Sequence, residues 1–215
     1  MFLSRIEANA RRRRYQRFCQ LIPPKRPVRI LDVGGTRAYW STVGLGQLGE
    51  CEIVLYNIAA AEDPGPPFVI EHGNACDLSR FADRSFDVAF SNSVIEFVGD
   101  ADDQRRMICE MRRVASIVVL QTPNASFPVD WQTLVPFFHW LPPRWRAWCH
   151  RRFRVGRVKR VPDGATADYV ARRVRALTRA DIESLFPGCT IECERVMGLV
   201  KSIVAHNAAT AWNTD

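Results

Sequence analysis

No stretch of this chain reaches the roughly 18 consecutive apolar residues that a membrane-crossing helix needs. The opening Met1-Phe2-Leu3-Ser4-Arg5 also lacks the apolar run of a secretory signal, so a cytoplasmic protein is expected, soluble or peripheral at the inner face of the membrane. Its cysteines, Cys19, Cys51, Cys76, Cys109, Cys149, Cys189 and Cys193, form no pair of metal-binding clusters. Their odd number reads as reduced thiols, and no metal site is expected. The turn Gly34-Gly35-Thr36-Arg37-Ala38 does not follow the glycine pattern G-x-G-x-x-G, which argues against a fold built to hold a pyrophosphate there.

A length of 215 residues, 47% hydrophobic and 25% charged, suits a single domain over residues 1–215 with a full core. The formal charge of +7 makes an anionic partner plausible, whether nucleic acid, a phosphate-bearing substrate or an acidic lipid surface. Charge by itself does not choose among them.

What is present centres on Val28-Arg29-Ile30-Leu31-Asp32-Val33-Gly34-Gly35-Thr36-Arg37. An apolar run closed by an acid and two glycines reads as a buried parallel strand entering a tight turn. Gly34 and Gly35 lack a β-carbon, so the main chain there can take positive φ and let a ligand press against it. Asp32 falls at the strand's carboxyl end, where open α/β sheets bind their ligands.

Further strands are expected at 52–57, 68–72, 85–91, 117–120, 190–194 and 196–205. A basic helix is predicted over 4–21 within an N-terminal region 1–27, capped by Ser4, with Ile6, Tyr15, Phe18 and Leu21 inward and Pro23-Pro24 ending it. Its run Arg11 to Arg14 could hold phosphates, but reads more simply as a solvated face. Other helices are expected at 39–48, at 102–114 with Met107, Ile108, Met111 and Val114 on one side, and after Thr178-Arg179-Ala180-Asp181, ending near Phe186. Residues 63–67 read as a turn, 155–175 as basic and irregular with a turn at Pro162-Asp163-Gly164, and the tail to Asp215 as frayed.

Four pieces in chain order resemble the class I S-adenosylmethionine-dependent methyltransferases, and within them the bacterial type 11 group: Leu31-Asp32-Val33-Gly34-Gly35-Thr36, Gly73-Asn74-Ala75, Ser85-Phe86-Asp87-Val88-Ala89-Phe90-Ser91-Asn92-Ser93-Val94-Ile95-Glu96, and Gln121-Thr122-Pro123-Asn124. The resemblance implies a Rossmann-like α/β fold, with a seven-stranded, mostly parallel sheet, one antiparallel strand in a C-terminal hairpin, and helices on both faces. It implies S-adenosylmethionine as cofactor. Asp32, Gly34, Gly35 and Thr36 would then form the first turn around it, Asn57 would meet the ribose, Asn74 and Ala75 the adenine, and Ser91 and Asn92 the methyl side.

The chain departs from the family pattern in places. Thr36 and Ala38 stand where the family has its second and third glycines, Asn57 and Asn74 replace acids, and Phe97 replaces a histidine after Glu96. An amide accepts a hydroxyl proton without the strength of a carboxylate, so weaker cofactor affinity is expected. Asn74 and Asp77 also suit plain turn-making and capping.

After Thr-Pro-Asn comes an aromatic and basic insertion, residues 124–176, of a kind the resembled group also carries. Its tryptophans, prolines and arginines have the composition of a segment lying at a membrane interface, which suggests a lipid-linked acceptor and contact with an anionic membrane. The plainer reading is a lid whose rings pack on the domain. Asp130, His139 and Tyr169 are the candidates for acid–base help if the acceptor is a hydroxyl or a protonated amine, though each is more often structural. The expected activity is methyl transfer by in-line displacement to a small-molecule or lipid-linked acceptor. Two alternatives stand beside it: an RNA methyltransferase, drawn by the arginines, and a degenerate methyltransferase fold used as a binding module.

Overall fold

The computed structural model describes residues 2–22, 27–59 and 65–208, with the backbone alone for residues 2–10. Seven strands form one sheet: β1 (Val28–Val33), β2 (Cys51–Asn57), β3 (Phe68–His72), β4 (Phe86–Asn92), β5 (Ala115–Pro123), β6 (Thr190–Val196) and β7 (Leu199–His206). Their order is β3-β2-β1-β4-β5-β7-β6. Every pair from β3 to β5 is parallel, and β7 runs antiparallel to both β5 and β6. The expected sheet, one reversed strand included, is the one observed.

Helices α1 (Phe2–Leu21), α2 (Arg37–Val43), α3 (Ala101–Val114), α4 (Pro143–Arg152), α5 (Gly164–Arg172) and α6 (Arg179–Leu185) complete the chain. Strand β1 is covered on both faces, as a central parallel strand must be. Val28 and Ile30 pack with Tyr15, Phe18 and Leu21 of α1 and Trp40 of α2, whereas Leu31 and Val33 join the core of α3 and α6. Met107, Ile108, Met111 and Val114 of α3 are all buried, on the face that their 3.6-residue spacing defines. Consecutive strands leave β1 for β2 on one side and β4 on the other, so the order reverses at β1. A crevice opens there, at the carboxyl ends of β1 and β4.

Local expectations differ from the structure at several points. The backbone is already helical at Phe2, so Ser4 lies inside α1 rather than capping it. The Ile6 side chain, Pro23-Pro24, Asp63-Pro64 and the tail beyond 208 lie outside the described residues. Helix α2 stops at Val43, because Gly44 takes φ +80°. Residues 164–172, expected to be irregular, form α5: the Asp163 carboxylate accepts the Thr166 N–H at 2.7 Å, and Ala167 and Ala171 are the buried face. A stripe of alanines carries little hydrophobic contrast, which is why the pattern did not show it.

The arginine run of α1 also divides. Arg11, Arg12 and Arg13 are exposed, but Arg14 is buried, with Nε and Nη2 donating to the two Glu194 oxygens at 2.9 and 2.6 Å and Nη1 donating to Asn92 Oδ1. Burial alone would raise the Glu194 carboxyl; the Arg14 hydrogen bonds and charge, helped by Ser202, outweigh it and hold that carboxyl below its usual range. One side chain thus fastens α1 to β6 and to the end of β4.

Candidate active site

The turn after β1 needs both glycines, for different reasons. Gly34 takes φ +78° while its N–H donates to Tyr56 O at 2.7 Å, and a β-carbon there would stand 2.5 Å from a Val94 methyl. A β-carbon on Gly35 would stand 1.8 Å from Asp32 Oδ2. Asn57, at the end of β2, donates from Nδ2 to Gly34 O at 3.1 Å and Gly35 O at 3.2 Å, and accepts the Ala59 N–H on Oδ1. Its amide therefore pins the turn, leaving one lone pair of Oδ1 for a ligand hydroxyl.

Asp32 is 1% exposed. Its Oδ2 accepts the Trp40 indole N–H at 2.7 Å, while Oδ1 is buried with no partner. Burial pushes this carboxyl up to about 7, the indole hydrogen bond offsetting part of the rise.

Two cavities flank the turn. The first, of about 380 Å³, is bordered by Asp32, Gly34, Gly35, Thr36 and Asn92, with Arg11 and Tyr39 closing it from the helices. The second, of about 530 Å³, is bordered by Gly34, Asn57, Asn74 and Ala75, with Ile58 and Phe97 at its sides. Gly34, Ser93 and Val94 belong to both. Ser93 holds φ +57° there because its N–H and Oγ donate to Gln121 of β5, at 2.9 Å to the carbonyl and 2.8 Å to Oε1. Asn74 Oδ1 accepts the Cys76 N–H at 3.0 Å, so the turn-making role and the place at the cavity coexist. Asp77 does only the former, accepting the Ser79 N–H.

Of the residues expected around the cofactor, Ser91 alone borders neither cavity; it is fully buried in β4 with its hydroxyl unpartnered. The three acid–base candidates also stand outside both linings. Asp130 closes its own turn, accepting the Gln132 and Thr133 N–H groups at 2.7 and 3.1 Å. His139 donates from Nε2 to Ala125 O at 3.0 Å, sharing that carbonyl with the Trp140 indole. Tyr169 projects from α5, 67% exposed. The geometry does not bring the three together with the glycine turn.

Sequence reasoning favoured a solvated face for Arg11 and gave Tyr39 and Glu96 no role at the site. Arg11 reads as one more surface cation until the fold places α1 beside the first cavity. Glu96 is 1% exposed, with Oε2 accepting the Thr122 hydroxyl at 3.1 Å and Oε1 unpartnered. Burial raises it to about 7, against a backbone hydrogen bond and Thr122. Phe97, in the place of the expected histidine, sets its ring edge to Trp131 with centroids 5.5 Å apart and lies under the Arg173 guanidinium at 5.6 Å. The insertion thereby touches a residue that borders the second cavity.

Residues 31–117 match the family described as Methyltransferase domain. Among solved structures, the chain is similar to a possible exported protein from Bordetella parapertussis, with 14% identity over 96% of this chain and 68% of that one and a TM-score of 0.58. It is also similar to a cyclopropane-fatty-acyl-phospholipid synthase-like protein from Lactobacillus casei, with 11% identity, 93% and 89% covered, and a TM-score of 0.55. A third is the CurJ carbon methyltransferase, with 18% identity, 88% of this chain but only 50% of that one covered, and a TM-score of 0.51. At such identities the structural likeness speaks for the fold. No curated protein matches the sequence.

Proposed function

We propose that this chain is a class I S-adenosylmethionine-dependent methyltransferase, a reading supported by its sheet order and the family match over residues 31–117, that the cofactor lies across Gly34, and that the acceptor is hydrophobic, of the lipid-linked kind. The observation that carries the reading is the meeting of two cavities at Gly34, Ser93 and Val94. Asn57 and Asn74 would hold the adenosine, and Asp32 and Arg11 the amino-acid end. The unpartnered Asp32 Oδ1 and the bare Gly34 and Gly35 backbone suit a ligand carrying positive charge close to the main chain.

Bound there, the cofactor supplies an already electrophilic methyl group. The protein's task is alignment of nucleophile, methyl carbon and sulfur, and such positioning can lower a barrier by about 7 to 11 kcal/mol. Arg11 pairs with the carboxylate of the amino-acid end, Asp32 favours the cationic part, and Asn57 Oδ1 accepts a ribose hydroxyl. Phe97 and Trp131 border the acceptor's approach and exclude water from it. Asp130, His139 and Tyr169 take no part in this step.

Titration calorimetry with S-adenosylhomocysteine tests the arrangement. Arg11→Ala is expected to weaken binding about 3- to 10-fold, the loss of one partly solvated charge-assisted hydrogen bond. An unchanged affinity would take α1 out of the cofactor site.

A further inference from the structure

Residues 131–162 hold eight cations, Lys159 and seven arginines, and no acid. The chain has 30 Lys and Arg against 23 Asp and Glu, so outside this segment 22 cations face 23 acids. The whole positive excess of the protein is therefore gathered in one seventh of its length. The same segment is where large rings face solvent: Phe137 is 55% exposed, Trp140 53%, Trp145 53%, Trp148 49% and Phe153 55%.

Helix α4 explains how both features come to share a surface. Ala147 and His150 are its buried residues, so the opposite side presents Arg144, Trp145, Trp148, Arg151 and Arg152, all exposed and spaced three or four apart. The rings touch one another rather than the core: Trp145 to Trp148 at 6.5 Å, Trp148 to Phe153 at 5.7 Å, and Phe137 to Trp140 at 5.2 Å. The expected lid, with its rings packed onto the domain, is therefore only half present; Trp131 and Phe138 pack, Trp140 is half exposed with its indole N–H tied to Ala125 O, and Phe137, Trp145, Trp148 and Phe153 face solvent. No described helix is long and apolar enough to cross a membrane.

We propose that this face docks on the surface of an anionic lipid bilayer, with Trp140, Trp145, Trp148 and Phe153 seated at the headgroup level and Arg144, Arg151, Arg152 and Arg154 against lipid phosphates. Amphipathic indoles beside arginines are the chemistry of that interface, and apolar contact together with charge attraction is what makes such binding strong and reversible. The neighbouring rings of Trp145, Trp148 and Phe153 are inclined by 70° to each other rather than stacked. Through Trp131 and Phe97 the same segment reaches the second cavity, so docking would present a lipid-linked acceptor beside the methyl group. That last step, unlike the docking itself, rests on the function proposed above.

The test is sedimentation of the full chain with vesicles of phosphatidylcholine alone and with one-third phosphatidylglycerol, over a series of salt concentrations. Binding is expected to the anionic vesicles only, to fall by about tenfold or more between 50 and 500 mM salt, and to shift tryptophan emission to the blue. W145A/W148A, two exposed side chains outside the cofactor cavities, is expected to lose about tenfold in vesicle affinity while binding S-adenosylhomocysteine like the parent. Absence of sedimentation with anionic vesicles at low salt overturns the proposal. So does binding that the double substitution leaves unchanged, self-association that buries the rings, or a preference for single-stranded RNA that these rings carry. If cofactor binding is absent while vesicle binding persists, the enzymatic reading fails and the docking surface stands.

Discussion

Replacing Gly35 by alanine is expected to abolish cofactor binding and to lower stability by about 2 to 4 kcal/mol. The added methyl would sit 1.8 Å from Asp32 Oδ2 and 1.9 Å from Asp32 Cγ. That carboxyl group has nowhere to go. It is 1% exposed and tied to the Trp40 indole, and Trp40 is itself fully buried between Tyr15, Phe18, Tyr39 and Phe90. Moving the Asp32 carboxylate breaks its hydrogen bond with the Trp40 indole, while holding it forces the turn away from the ligand. Urea unfolding reads the first consequence and calorimetry with S-adenosylhomocysteine the second. Affinity retained within about twofold would mean that the ligand does not touch this turn.

The second large effect concerns pH. Asp32 has a folded value of about 7 against an ordinary 3.8, raised by burial. A carboxyl raised in this way binds more protons folded than unfolded between those values, so its neutral form favours folding at low pH. That contribution is lost as pH rises from about 4 through 7, and reaches about 4 kcal/mol against folding above pH 7. Asp32→Asn keeps an oxygen for the Trp40 indole but carries no charge. The variant is therefore expected to match the parent near pH 4 and to be the more stable protein at pH 8, as thermal or urea unfolding at the two pH values would record.

Cofactor binding should run the other way. Only ionised Asp32 attracts a sulfonium or ammonium, so parent affinity for S-adenosylmethionine is expected to rise between pH 6 and 8, whereas that of Asp32→Asn stays flat and about 10- to 100-fold weaker at pH 8. A variant more stable and a weaker binder at one pH separates a functional acid from a structural one. If both proteins show the same pH dependence of affinity, Asp32 does not serve the ligand.

The sheet was legible because its signals are local. Val28 to Val33 is apolar at both parities, as a strand buried on two faces must be, and Gly34-Gly35 marks its end without reference to any other residue. The capping box of Thr178 and Asp181 and the apolar stripe of α3 are equally local, and both stand as expected. What escaped depends on partners far along the chain. Arg14 meets Glu194 across 180 positions, which turns a surface arginine into a buried latch. Asn57 reads as a weakened ribose ligand from the second strand alone, and becomes a brace for the glycine turn once β1 and β2 lie side by side.

The acid–base candidates failed to converge for a related reason. Asp130, His139 and Tyr169 were singled out by chemical type within one insertion, and type says nothing about direction. Asp130 accepts from neighbouring backbone, His139 donates from Nε2 to the Ala125 carbonyl while its Nδ1 is buried without a partner, and α5 carries Tyr169 outward. Glu96 and Asp32 are buried carboxyls raised to about 7 at this end of the sheet, and of the two Asp32 borders a cavity beside the glycine turn.

The most direct measurement is a crystal structure of the protein with S-adenosylhomocysteine. Its sulfur should rest against Gly34 where the two cavities meet, with the adenine beside Asn74 and the amino-acid carboxylate within hydrogen-bond reach of Arg11. A nucleoside seated anywhere off the β1–β4 crevice, or one whose adenine lies on the Arg11 side, would contradict the account.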